Sequence, residues 1–200
     1  MATSMLAERS DRMGVAAVVS VWNVLDKAQR PQWTFTPFVN VGPLQFGMSP
    51  PQVRDAVDGI LTTHVSRGYP GRESWIRFEL AGIEPFKPAV TTYFDDTVGL
   101  ACVVVNALAG PQVTLEGMQL VAQVPSQLED QFLEYATTQS KEPRYSQQAD
   151  PGSESLGVVI RAQRAGDAVL TRPVFVAREW AEHCCDTSEG RIPREEWNSF

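Results

Sequence analysis

The sequence predicts an α+β fold, an antiparallel sheet packed by a few helices, and three patterns in it carry that prediction. Residues 41–57 (VGPLQFGMSPPQVRDAV) run from alternating apolar positions through Gly47-Met48 into the start of an amphipathic helix. Ile76, Phe78 and Leu80 alternate with Trp75, Arg77 and Glu79, the period of a half-buried strand. Leu128, Phe132, Leu133 and Ala136 recur at helical spacing after Ser126.

Taken along the chain, a first helix is expected near 5–29. Val15, Val18, Val19, Trp22 and Leu25 fall on one of its faces, and Pro31 ends it. Residues 32–46 read as extended, with Pro37 and Pro43 marking bends. A second helix is expected over 50–61. Ser49 is its cap, Pro50 sits where a missing N–H costs nothing, and Gln52 completes a capping box. Arg67-Gly-Tyr-Pro-Gly-Arg-Glu73 is a turn. AVTTYF and VGLACVVVNA form a hairpin about Asp95-Asp96-Thr97, its second strand central in the sheet. Ser126 to Glu129 is a second capping box and opens a helix near 126–137. The polar run 138–154 reads as a long surface loop. LGVVIRAQ and AVLTRPVFVA are two more strands, joined at Arg164-Ala-Gly-Asp167. Sheet material is therefore expected at about 74–122 and 155–177. A glycine-bearing strand leads into a capped helix at 41–57 and again at 115–135. That echo allows the single domain 1–200 to be divided into sub-repeats 30–110 and 111–180.

The 200 residues are 43% hydrophobic, enough for a sizeable core. They carry 17 basic and 24 acidic residues, a net charge of −7. A nucleic-acid binder needs a basic footprint, and this balance argues against direct nucleic-acid binding. It suits a basic protein partner, or simple solubility. Three cysteines, with Cys184 and Cys185 adjacent and Cys102 in an apolar strand, fit a reducing compartment. Gly14–Leu25 is apolar, but Glu8 and Asp11 precede it and Asp26-Lys27 follows. It is also too short to span a membrane, so a cytoplasmic protein without a membrane segment is expected.

Chemical motifs are scarce. The sequence holds only two histidines, His64 and His183, and the tract His183-Cys-Cys-Asp186 is consecutive, whereas ligands of one tetrahedral ion are seldom so. No G-x-S-x-G elbow and no glycine-rich phosphate loop occurs. Asp95-Asp96 suits a hairpin turn better than an acid–base couple. These readings predict no enzyme, no cofactor, no metal and no catalytic residue. The tail is acidic and aromatic: Trp180 and Trp197 flank Glu182, Asp186, Glu189, Glu195 and Glu196. Aromatic anchors among acids make a hot spot for a basic partner. The alternative, and the one slightly favoured, is that the tail packs back on its own sheet with its acids solvated.

The run Gly42-Pro-Leu-Gln-Phe-Gly-Met-Ser49, followed by Gln52-Val53, resembles a strand-to-helix signature, GMS-x-x-x-V. It is similar to segments of small helix-plus-antiparallel-sheet domains such as the β-lactamase inhibitor protein and outer-membrane assembly lipoproteins. It also resembles bacterial, actinobacterial-type immunity proteins of polymorphic toxin systems. The resemblance covers about 20 residues and implies a non-enzymatic, protein-binding role. It carries over no catalytic residue. The expected partner is a cognate, basic protein toxin whose active site this chain occludes. Asp95, Asp96, Trp180, Glu182, Asp186, Glu189, Glu195, Glu196 and Trp197 are the candidate contacts. The competing expectation is a small-ligand protein or enzyme with a pocket between sheet and helices and a reactive Cys184 or Cys185.

Overall fold

The strand over Gln32–Thr36 forms where side chains alternate between core and surface, the central strands are buried in continuous runs, and the helices stop where glycine or polar residues break the face. The computed structural model describes residues 21–81 and 88–198. In chain order the elements are β1 (Gln32–Thr36), β2 (Asn40–Val41), β3 (Leu44–Gln45), α1 (Pro50–Val57), β4 (Leu61–Tyr69), β5 (Arg72–Leu80), β6 (Val90–Asp95) and β7 (Gly99–Val105). Then follow β8 (Gln112–Leu115), β9 (Met118–Gln119), α2 (Pro125–Thr138), β10 (Arg144–Tyr145), β11 (Pro151–Ser153), β12 (Val158–Ala165) and β13 (Ala168–Val176). Short strands, a helix and four antiparallel strands thus occur in the same order in 32–105 and in 112–176.

The two four-stranded runs join into one antiparallel sheet ordered β10-β11-β12-β13-β7-β6-β5-β4. Its seam is β13 against β7, with Phe175 opposite Val103. The short strands form a second sheet, β3-β2-β1-β8-β9, in which β1 and β8 run parallel. This is the α+β architecture the sequence predicts.

The main core lies between the large sheet and the layer made by α1, α2 and the small sheet. It buries Phe35, Leu44, Val53, Val57, Ile76, Phe78, Leu100, Val103, Leu128, Phe132 and Phe175. Apolar burial of this kind contributes about 1.5–3 kcal/mol for each large side chain. A second core covers the opposite face of the sheet. Tyr93, Cys102, Val104, Val159, Val174 and Val176 there meet Trp180, Ala181, Cys184, Cys185, Ile192 and Trp197 from the chain after β13. The sheet is therefore covered on both faces over its middle strands.

Several expectations are corrected. Residues 21–26 are turn and coil, followed only by a short 3-10 helix at Lys27–Gln29, so the expected first helix does not reach Gln29. The rest of that helix lies outside the described residues, as does most of the loop 81–88. Trp22 is exposed beneath Arg164 rather than in a core. Helix α1 ends at Val57 because Gly59 turns left-handed, and β4 follows at once. At its start Gln52 reaches back to accept from the Ser49 N–H at 2.9 Å, as the box requires. Helix α2 is capped by Val124 with Pro125 in its first turn, so Ser126 is not its cap. Glu129 accepts instead from the Tyr145 hydroxyl at 2.6 Å. Residues 138–154 contribute two short strands, β10 at the sheet edge and β11 next to it, and bury Ser146 and Asp150.

Candidate functional site: an acidic corner on a clamped C-terminal segment

Residues 177–198 lack apolar periodicity, and their shape is fixed by anchors. Ala177 continues from β13 by donating its N–H to Ala101 at 2.8 Å. Trp180, Cys184, Cys185, Ile192 and Trp197 then dip into the second core. Two 3-10 turns, Arg178–Trp180 and Arg194–Trp197, set the tryptophans inward.

A buried polar clamp closes the far end. Glu196 is 3% exposed and receives both the Tyr93 hydroxyl and the Arg172 guanidinium. The Arg161 guanidinium donates to the Glu196 carbonyl at 2.6 Å and to Gln148 Oε1 at 2.6 Å, and its Nε lies 2.8 Å from Asp150 Oδ2. Asp150 in turn accepts from Ser146 Oγ at 2.9 Å, and Arg161 stacks 4.8 Å over the Trp197 ring. Burial pushes the Tyr93 hydroxyl up, reinforced by the Glu196 charge. Burial also lowers Arg161, opposed by Asp150. Two arginines facing two carboxylates offset the desolvation that either charge alone would suffer.

The other end of the segment is acidic. Asp95 closes the β6–β7 turn: its Oδ1 accepts from Thr97 N at 2.8 Å, Thr97 Oγ1 at 2.6 Å and Val98 N at 3.2 Å. These bonds, the Thr97 hydroxyl first, hold its carboxyl down to about 2. The second oxygen accepts from the Trp180 indole at 3.3 Å and lies 3.9 Å from Arg191, which ties the turn to the segment. Asp186 accepts from Gln147, from the Ser188 hydroxyl and N–H, and from the Glu189 N–H, so its carboxyl lies well below the usual range. Glu182 and Glu189 each stand 3.8 Å from His183 and extend into solvent. Asp96 is exposed at the turn tip.

Of the nine residues singled out from sequence, Asp95 is joined to Trp180 by a hydrogen bond, with Asp96 next to it at the turn. Glu182 and Glu189 flank His183, and Asp186 accepts from the Glu189 N–H in the same C-terminal segment. Glu195 is exposed and, with Glu196 and Trp197, lies at the clamp. Trp180, Glu196 and Trp197 are buried and present no surface to a partner; the tail packs back on its own sheet. Sequence reading passed over Tyr93, Asp150, Arg161 and Arg172. The arginines were detectable by parity: Val159, Arg161 and Gln163 share one face of β12, and Arg172 and Val174 share one face of β13.

Beside the clamp, a groove of about 240 Å³ is lined by Arg77, Thr91, Asn106, Gln163, Arg172 and Glu195. It lies between the sheet and the C-terminal segment; a larger cavity of about 660 Å³ lies between the small sheet and the turn after α1, lined by Trp33, Asn40, Gly42, Gly59, Ile60 and Leu80. Among the described residues, no three His, Cys, Asp or Glu side chains group closely enough to hold a metal. No helix among them is long and apolar enough to cross a membrane. Comparison with known proteins gave no match to a family model, a curated protein or a solved structure.

Proposed function

We propose that this chain is a non-enzymatic inhibitor of the immunity type, which binds a basic protein toxin in the cytoplasm and occludes its active site. The observation that carries this reading is the acidic corner. Asp96, Glu182 and Glu189 project from a turn and a segment whose backbone is tied down by Asp95, Asp186, Trp180 and the clamp behind them. Because the backbone that carries them is already fixed, binding needs no ordering of the segment itself, so more of their attraction for a basic surface appears as affinity. The chain's net charge of −7 adds long-range steering to that local match. The tryptophans serve the reading as internal anchors of the segment, not as contacts. All three cysteines are free, which fits a reducing compartment.

The test is co-expression and pull-down with the product of the neighbouring gene. Protection of cells and a stoichiometric complex support the reading; neither protection nor complex sinks it. The groove favours a second reading, a small-ligand protein. Arg77, whose guanidinium stacks 4.7 Å over Trp75, lines this groove together with the amide side chains of Asn106 and Gln163. A metabolite that raises the melting temperature of wild type but not of Arg77→Ala supports that alternative.

A further inference from the structure

Cys184 and Cys185 are the other chemical feature of the C-terminal segment. Their Sγ atoms lie 4.0 Å apart, both inside the second core, with Cys184 fully buried and Cys185 5% exposed. The residue before them, His183, is held left-handed at φ +58°, and its carbonyl is packed against Gly190. Cys185 Sγ is seated on the backbone of Gly152 in β11, where a Cβ would stand 2.8 Å from the sulfur. The third thiol, Cys102, belongs to the same core but lies on β7 and is fully buried.

We propose that Cys184 and Cys185 form a redox-active vicinal dithiol, which a hydroperoxide oxidises reversibly to an intrachain disulfide. Cys185 attacks first as its thiolate. Its sulfur takes one OH from hydrogen peroxide, the O–O bond breaks, and the product is a sulfenic acid; the departing hydroxide takes up the proton that the Cys185 thiol lost and leaves as water. Cys184 then attacks that sulfur, the S–O bond breaks, and the oxygen leaves as a second water with the thiol proton. Two thiols have lost two electrons, and one peroxide has become two waters. The division of roles follows the geometry. The less deeply buried residue, Cys185, meets the oxidant, and the neighbouring sulfur at 4.0 Å is within reach to hydrogen-bond its thiolate. The contact with Cys185, then burial, pushes the Cys184 thiol up, and the same contact lowers that of Cys185. A sulfenic acid formed there has its resolving thiol already in contact, which favours disulfide over further oxidation.

Adjacent Cα atoms are ~3.8 Å apart, short of the ~4.4–6.8 Å that relaxed disulfides span. The bond is therefore strained and easily reduced, the property of regulatory disulfides rather than structural ones. Closing it brings the sulfurs to ~2.0 Å, so at least one must leave its present seat.

The experiment treats the intact protein with hydrogen peroxide, unfolds it, alkylates the remaining thiols and maps them by mass. The expected result is a fall from three alkylatable thiols to one, at Cys102, with the mass of two hydrogens lost and no oxygen gained. A thiol reductant restores all three. Cys102→Ser leaves the closure intact, and Cys185→Ser abolishes it. Stable oxygen adducts on Cys184 or Cys185, disulfide-linked dimers, equal consumption of Cys102, or no loss of thiol would each overturn the proposal. The wild-type mapping decides the matter even if a variant fails to fold.

Discussion

Glu196 is the residue on which the C-terminal segment most depends, because one carboxylate receives both the Tyr93 hydroxyl and the Arg172 guanidinium out of water. Glu196→Ala takes that acceptor away while the arginine stays buried. The expected loss is about 3–5 kcal/mol, read as a lower urea midpoint. Asp95 makes a different prediction, in pH. Its carboxyl is held down to about 2 from an ordinary 3.8 by Thr97 and its neighbours. The unfolded chain binds the proton first as pH falls, so the contribution of Asp95 is present above pH 3.8 and lost as pH falls through about 2. Asp95→Asn should flatten the stability profile across that window and leave it unchanged at neutral pH, apart from a constant offset. Single residues were the least legible level of the sequence. The turn role of Asp95 was readable from Asp-Asp-Thr between two strands. Burial of Trp180 and Trp197 was not, because their segment has no period to say which way a side chain faces.

Strands that alternate in one sheet were readable element by element: β5, the β6–β7 hairpin, and β12–β13 with its turn at Gly166-Asp167. Strand β4 was missed, because after Leu61 every one of its side chains is exposed and leaves no apolar rhythm. Length of α1 was misjudged for a related reason: Gly59 and Ile60 fit a helical face but belong to the turn into β4. The strand-to-helix junction, by contrast, is where sequence grammar and packing agree. Gly47 donates to the Leu100 carbonyl at 3.0 Å, and Leu100 donates back to Met48 at 2.8 Å, laying the junction on the start of β7. This requires Gly99, at φ +82°, where a Cβ would stand 2.4 Å from the Gly47 carbonyl oxygen. Gly99→Ala is expected to cost about 1–3 kcal/mol by thermal or urea unfolding, because backbone must move to admit it. Gln52→Ala loses only the reach back to Ser49, about 0.3–1.5 kcal/mol, since water can replace that bond.

Both faces of the middle strands are covered, and that fact joins the fold to the proposed function. The segment after β13 seals the second face with Trp180, Ile192 and Trp197, and the same segment carries Glu182 and Glu189 outward. A chain ending at Val176 would expose Tyr93, Val104, Val159 and Val174 together, a patch that monomers rarely tolerate. It should bind a hydrophobic dye and lose its sharp melting transition; a sharp, unchanged melt would mean that the second core contributes little. At this scale the fold class was legible from composition and alternation. The second sheet and the parallel pairing of β1 with β8 were not, because contacts 80 residues apart leave no local mark. The central claim, an acidic corner built to meet a basic protein, is tested most directly by one affinity titration. The purified chain and its neighbouring gene's product would be titrated at low and high salt, for wild type and for the Glu182→Lys/Glu189→Lys variant. We predict binding that weakens with salt and falls by about tenfold or more on charge reversal, with the variant's melting temperature unchanged. Binding that ignores both salt and charge reversal would contradict the account.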